Sequence, residues 1–143
     1  MNIPYEIKMG EHGRGIYALS DIKKNILIWS YKLNENVIEY DENASIQYLK
    51  ELPSLIAQQD FLNYTFGRGK LLCLVTDDGQ YMNHAADPPD CNCKTDLLTG
   101  NCFAARDIIC GEQLFEDYRT FSHPPFLYKL LKDYHCVPTY YAL

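Results

Sequence analysis

The sequence predicts a mostly β domain that carries one helical insert. Short runs rich in β-branched and aromatic residues recur along the chain, and clusters of glycine, aspartate and asparagine separate them, as is typical of strands joined by turns. Apolar residues take a helical spacing between residues 43 and 62 and again at residues 126–132. With 143 residues, the chain has the length of one domain, so we predict a single domain over residues 1–143.

The predicted elements begin with a tight turn and three short strands. Gly13 and Gly15 frame Arg14 and form a turn that leads into a strand. Residues 26–31 are β-branched and aromatic and predict a second, buried strand. A third short strand is expected around residues 37–38.

The helical insert is predicted by a change in spacing. Ile46, Leu49 and Leu52 fall three apart with Lys50 and Glu51 between them, which indicates an amphipathic helix. A proline follows at position 53 and either ends this helix or begins a second one at its first turn.

The second half of the chain predicts further strands around a central loop. Asn83 and His84 are expected in an irregular loop, because two prolines and an aspartate follow them closely. The flanking predictions, in chain order, are strands at 64–66 and 71–75 with a turn at 67–69, a turn at 77–79, a hairpin turn at 99–101, a strand at 102–109 and a helix at 126–132 that packs on the core.

Composition limits the function classes. The net charge is −6 and the pI about 5.1, which argues against direct binding of nucleic acid and favours a basic partner, although acidity also serves solubility alone. No apolar run reaches the roughly 18 residues that span a membrane, and the start of the chain lacks the apolar core of a secretory signal. We therefore expect an intracellular protein, nuclear or cytoplasmic, whose six cysteines are reduced.

Three motifs together resemble the SET-domain protein lysine methyltransferases. They occur in the family's order over residues 10–120, and they are the segment 13–18 (GRGIYA), the Asn83-His84 pair, and the segment 105–118, which runs from ARDI through GE to DY. The resemblance implies a fold of short, mostly antiparallel sheets with a C-terminal pseudoknot that brings the Asn-His and Asp-Tyr motifs together. It also implies that residues 121–143 close the substrate channel.

The cofactor that the resemblance implies is S-adenosylmethionine. In such proteins the backbone at Arg14 and Gly15 contacts the amino-acid end of the cofactor, the Asn83 side chain hydrogen-bonds that end, and the His84 backbone meets the adenine. Tyr64 matches a cofactor-site tyrosine by position. Two alternatives stay open, since His84 also suits a structural imidazole and Arg14 a solvated turn residue.

The resemblance assigns catalysis to Tyr118 and Tyr31, and the substrate channel to Tyr31, Glu116 and Phe66. A tyrosine hydroxyl at the end of a channel can orient the lysine amine, and aromatic walls suit the aliphatic stem and cationic head of lysine. Tyr31 and Tyr64 are equally explained as core aromatics. Glu116 departs from the Tyr or Phe usual at its position, so it either faces the channel or turns away from it, and the number of methyl groups transferred stays open.

Several readings compete for the function. The expected substrate is a lysine-bearing protein or peptide, with a histone tail as one candidate and a non-histone protein as another. A catalytically silent peptide-binding module is the alternative suggested by Ala85, Pro89 and Glu116. A zinc module built on Cys91, Cys93, Cys102 and Cys110 has unsuitable spacing, so no metal is predicted, and a homodimer is left open.

Overall fold

A computed structural model describes residues 1–11, 13–85 and 90–136. Ten strands and three α-helices occur within these residues. The strands are β1 (Tyr5–Gly10), β2 (Gly13–Ala18), β3 (Leu27–Trp29), β4 (Val37–Tyr40), β5 (Thr65–Arg68), β6 (Leu71–Val75), β7 (Asn83–His84), β8 (Cys93–Thr95), β9 (Cys102–Ala104) and β10 (Phe115–Glu116). The helices are α1 (Glu42–Glu51), α2 (Leu55–Tyr64) and α3 (Pro125–Asp133).

The described chain divides into two compact units. The first unit comprises Met1–Lys32 and Asp77–Tyr118, and it holds seven of the described strands. The second comprises Leu33–Thr76 and the described residues from Arg119 onward, and it holds the three α-helices with strands β4, β5 and β6. The helical insert predicted for residues 43–62 corresponds to α1 and α2.

Two sheets build the first unit. Strands β1 and β2 form an antiparallel hairpin that pairs Tyr5 with Ala18 and Gly10 with Gly13. The other sheet has the order β3-β9-β8-β10-β7. Strand β10 lies between β7 and β8 and runs parallel to both, so a late segment of the chain is inserted between two earlier ones. The buried apolar core of this unit includes Ile16, Ile28, Ile108 and Leu114.

The second unit packs its helices on a three-stranded antiparallel sheet of order β4-β6-β5. Asp41 caps α1 by accepting the Ala44 N–H at 2.8 Å, and Ser54 caps α2 by accepting the Ala57 N–H at 3.1 Å, as short polar residues do at helix starts. Pro53 follows the C-cap Leu52 of α1 and precedes the N-cap Ser54 of α2, so it lies after the end of the first helix and not in the first turn of the second. The core consists of Leu49, Phe61, Leu62, Leu72, Leu127, Leu130 and Leu131.

Four sequence predictions need correction, and one strand was missed. The turn predicted at Gly13 to Gly15 is the beginning of strand β2, which pairs with β1 from Gly13 onward. Asn83 and His84 form strand β7 and not an irregular loop, because their backbone pairs with β10. Tyr64 ends helix α2, so the next strand begins one residue later. The strand predicted at 102–109 ends at Ala104, after which Ile108 makes only an isolated bridge. Strand β1 was not predicted. Its residues are largely exposed and give no strong local strand signal, and the strand forms by pairing with β2.

Candidate active site

Asn83 lies on the edge strand β7, beside the beginning of strand β2, which carries Arg14. Its Nδ2 atom donates to the carbonyl oxygen of Arg14 at 3.0 Å and to Oε1 of Gln113, also at 3.0 Å. Two of the motifs found in the sequence, the glycine-framed turn and the Asn-His pair, are therefore in direct contact within the first unit.

The two glycines of the turn serve different needs. Gly13 has φ +83°, in the left-handed region that favours glycine, and a Cβ there would meet nothing within 4 Å. A Cβ on Gly15 would lie 2.3 Å from Oε1 of Gln113. The first glycine therefore allows the turn, whereas the second leaves room for a neighbouring side chain.

Arg14 directs its guanidinium to Tyr81. Its Nη1 donates to the Tyr81 hydroxyl at 3.2 Å, and Cζ lies 5.7 Å from the centroid of the Tyr81 ring. The part of Arg14 that reaches Asn83 is the backbone carbonyl, in keeping with the predicted backbone role of this residue.

His84 connects the Asn-His motif to Tyr118. Its Nδ1 accepts the backbone N–H of Tyr118 at 2.9 Å, and the two rings are 5.2 Å apart. Oδ1 of Asp117 lies 3.9 Å from the same Nδ1 atom. The imidazole thus makes a structural contact, and the cofactor role of the His84 backbone stays a prediction.

The Tyr118 hydroxyl donates to the carbonyl oxygen of Met82. Met82 immediately precedes the Asn-His pair and is buried. Both ends of Tyr118, the backbone N–H and the phenol, therefore contact the segment 82–84, so the first unit brings together three of the predicted site residues: Asn83, His84 and Tyr118.

Tyr31 is held by the β8–β9 hairpin of the same unit. Its N–H donates to Oδ1 of Asn101 at 2.8 Å, and a Cβ on Gly100 would lie 2.4 Å from the Tyr31 ring. Trp29 packs edge-on against the ring at 6.1 Å. These contacts fix the position of the aromatic ring, and a catalytic role for Tyr31 stays a prediction.

Glu116 is 8% exposed and is bonded inside the sheet. The Thr95 hydroxyl donates to its Oε1. Burial raises the pKa of the Glu116 carboxyl, while hydrogen bonds from Thr95 and Cys102 oppose the shift. The Glu116 side chain is therefore buried and bonded within the sheet. A channel role for Glu116 stays a prediction.

Tyr64 and Phe66 belong to the second unit. Tyr64 is the last residue of α2 and is 51% exposed. Phe66 pairs with Cys73 in the sheet, and its ring packs on Phe121 at 5.0 Å. The cofactor role of Tyr64 and the channel role of Phe66 stay predictions.

Sequence reasoning assigned no role to Gln113 or Asn92, which support the site. Asn92 is 1% exposed, its Nδ2 donates to the Gln113 carbonyl at 2.8 Å, and its Oδ1 accepts the Phe115 N–H at 2.8 Å. Neither residue stands out locally, because the contacts that tie it to the site reach residues 21 to 96 positions away in sequence.

Arg106 and Glu112, in the last of the three motifs, form a two-pronged ion pair with distances of 3.3 and 3.1 Å. The hydrogen bond from Arg106 is the main cause that lowers the pKa of Glu112, and the Ile109 N–H, at 2.6 Å from Oε2, adds to it. This pair closes the turn that leads into Gln113 and β10.

The cysteines give no metal site among the residues that the structure describes. All six are free thiols, and no group of three or more His, Cys, Asp and Glu side chains within those residues is placed to share an ion. A hydrogen bond between the Cys102 and Cys93 thiols, together with burial, raises the pKa of the Cys102 thiol. Each helix in the described ranges is too short or too polar to cross a lipid bilayer.

Comparisons with known proteins agree with this geometry. The SET-domain family model matches residues 13–119, which is more than half of the chain. A solved Plasmodium falciparum chain, named as a candidate histone methyltransferase, has 17% identity and a TM-score of 0.53, and the match covers 82% of this chain and 95% of that one.

A chain from a structure of ctPRC2 in complex with H3K27me3 and H3K27M has 18% identity and a TM-score of 0.60. That match covers 82% of this chain and 15% of the larger one. At these identities the two likenesses show the fold alone. The comparison with curated proteins gives no match.

Proposed function

Because the chain belongs to the SET-domain family, whose members are generally protein lysine methyltransferases, we propose that it transfers a methyl group from S-adenosylmethionine to a protein lysine. The observation that carries the proposal is the meeting of Asn83, His84 and Tyr118. His84 receives the Tyr118 N–H at 2.9 Å while Asn83 reaches the glycine-framed turn at 3.0 Å, so the amide proposed for the cofactor and the phenol proposed for the substrate meet at the segment 82–84.

The residues of the first unit fit the amino-acid end of S-adenosylmethionine. A Cβ at Gly13 would meet nothing within 4 Å, the Cβ position of Gly15 faces Gln113 and Asn83, and Asn83 supplies an amide. When bound, the cofactor supplies an electrophilic methyl group on a sulfonium. By resemblance, the His84 backbone and Tyr64 complete the set of cofactor contacts.

Tyr118 is proposed to orient the lysine amine. Its own hydrogen is given to the Met82 carbonyl, so the phenolic oxygen can accept an N–H from the amine and direct the nitrogen lone pair along the line of attack. Positioning of this kind supplies a large part of the rate in a bimolecular displacement. Tyr31 and Phe66 are proposed as aromatic contacts of the lysine stem.

A histone tail is the first substrate to test. The chain has a net charge of −6, which favours a Lys- and Arg-rich peptide, and the ctPRC2 structure named above was solved with histone H3 sequences. A non-histone protein with a basic segment satisfies the same electrostatic argument.

Transfer from labelled S-adenosylmethionine to core histones and to a cell lysate tests the proposal. We expect the wild-type protein to label a lysine and Tyr118→Phe to lose at least about 100-fold of the rate, within the range usual for a general acid–base or positioning group. Tyr48→Phe is the matched control, since Tyr48 packs in the core of the second unit and should leave the rate unchanged.

The other outcomes separate the competing readings. Cofactor binding without labelling of any protein would favour a substrate outside the histones and the lysate that were tested. If the cofactor does not bind either, the proposal is wrong and a silent peptide-binding module is the better account.

A further inference from the structure

Gln113 connects the two halves of the proposed cofactor site. Its Oε1 accepts from Nδ2 of Asn83 at 3.0 Å, and its Nε2 donates to the Tyr17 hydroxyl at 2.9 Å. The same side chain fills the space beside Gly15, where a Cβ would lie 2.3 Å from Oε1. One amide thus contacts strand β2, at Gly15 and at Tyr17, and the Asn-His pair.

The backbone of Gln113 is held on both sides. Leu114 donates its N–H to the Ile16 carbonyl at 2.8 Å, and Ala18 donates to the Glu112 carbonyl at 2.9 Å, so this segment runs antiparallel along β2. The Gln113 carbonyl accepts from Nδ2 of the buried Asn92 at 2.8 Å. A backbone fixed in this way holds the side-chain amide in one place.

This arrangement determines which atom of Asn83 is available to a ligand. The Nδ2 group has two hydrogens, and both are used, one on the Arg14 carbonyl and one on Gln113. Oδ1 is then the atom left to meet a ligand, and it can only accept a hydrogen bond. A primary ammonium, such as that on the amino-acid end of the proposed cofactor, is the complementary group.

We propose that Gln113 is a positioning residue that turns the Asn83 amide so that its oxygen faces the cofactor ammonium. The inference rests on the proposed function and adds a residue that acts through another. Without the Gln113 acceptor, one Nδ2 hydrogen loses its partner and the amide can rotate, which presents a donor to a cation. Gln113→Leu should therefore weaken binding of the amino-acid end specifically.

The test is calorimetric binding of two ligands to the intact protein. S-Adenosylmethionine carries the amino-acid end, whereas 5′-methylthioadenosine lacks it. We expect Gln113→Leu to weaken S-adenosylmethionine about 5- to 10-fold, the value of one hydrogen bond to a charged or oriented group, and to leave methylthioadenosine unchanged. In turnover, KM for the cofactor should rise while kcat at saturation is retained.

Two further variants separate positioning from general damage. Gln113→Glu keeps an acceptor for Asn83, and the Tyr17 hydroxyl can rotate to donate to it, so binding should return to within about threefold of wild type. Gln80→Leu is the matched control, because Gln80 gives one side-chain hydrogen bond to the Asp77 carbonyl and should leave both affinities unchanged.

A double-mutant cycle completes the test. If Gln113 acts through Asn83, then Gln113→Leu should add less than about twofold to the effect of Asn83→Ala. Equal losses for both ligands, or additive losses in the cycle, would overturn the inference while leaving the proposed function intact. If the wild-type protein does not bind S-adenosylmethionine, it is the proposed function that fails.

Discussion

Replacing Asn92 with alanine should destabilise the protein by about 3 kcal/mol. The side chain is 1% exposed and forms hydrogen bonds with two backbone groups, the Gln113 carbonyl and the Phe115 N–H, each at 2.8 Å. The substitution removes the hydrogen bond that Asn92 makes with each of these two backbone groups, and each such loss costs roughly 1–3 kcal/mol. For a chain of this size, the change lowers Tm by roughly 10 °C.

Urea denaturation at pH 7 measures this loss, and two variants isolate its cause. Asn92→Asp keeps the shape but places a carboxylate against the Gln113 carbonyl, so it should cost at least as much as alanine. Asn101→Ala removes one hydrogen bond, from the Tyr31 N–H, at a less buried position and should cost about 1 kcal/mol. If Asn92→Ala costs no more than Asn101→Ala, the reasoning from buried partners is refuted.

Two further predictions concern His84 and Glu116. His84→Ala removes the acceptor of the Tyr118 N–H, so it should lower the free energy of unfolding by about 1 kcal/mol and also slow methyl transfer. His84→Asn places an oxygen near the Nδ1 position and should restore part of both the stability and the rate. Equal melting temperatures and rates in wild type and both variants would contradict this. Burial raises the folded-state pKa of Glu116, so the stability it contributes is complete below the unfolded pKa and is lost as pH rises through the folded pKa. In unfolding measurements, the stability of Glu116→Gln relative to wild type should therefore increase as the pH rises from the unfolded pKa of glutamate through the raised folded pKa. A difference that stays constant with pH would count against a raised pKa.

Much of the local structure could be predicted because its signals are local. Helix α3 follows from apolar spacing at residues 126–132, and strand β6 coincides with the predicted segment 71–75. The hairpin between β8 and β9 turns at Gly100, whose φ is +78°, in agreement with the turn expected at 99–101. In each case a few neighbouring residues specify the conformation, without help from distant partners.

The site required information that is not local. Asn83 and His84 become a strand only because Phe115 and Glu116 pair with them from more than thirty residues away. The prolines that follow them predict a loop on local grounds, and long-range pairing overrides that preference. A family resemblance could supply Asn83, His84 and Tyr118 because it carries tertiary information. It assigned nothing to Gln113, whose role depends on where one amide lies relative to another.

One short segment, residues 113–118, therefore supports both the fold of the first unit and its proposed chemistry. Gln113 contacts Asn83, the backbone of Glu116 pairs with His84, and Tyr118 bonds to His84 and Met82. Strand β10 gains its hydrogen bonds to β7 and β8 only when the unit is folded. The positions of Asn83, His84 and Tyr118 are therefore set at the same step as the sheet. A substitution that loosens β10 should disturb the contacts of Gln113, Glu116 and Tyr118 together. A substitution of the Gln113 side chain should disturb only its contact with Asn83.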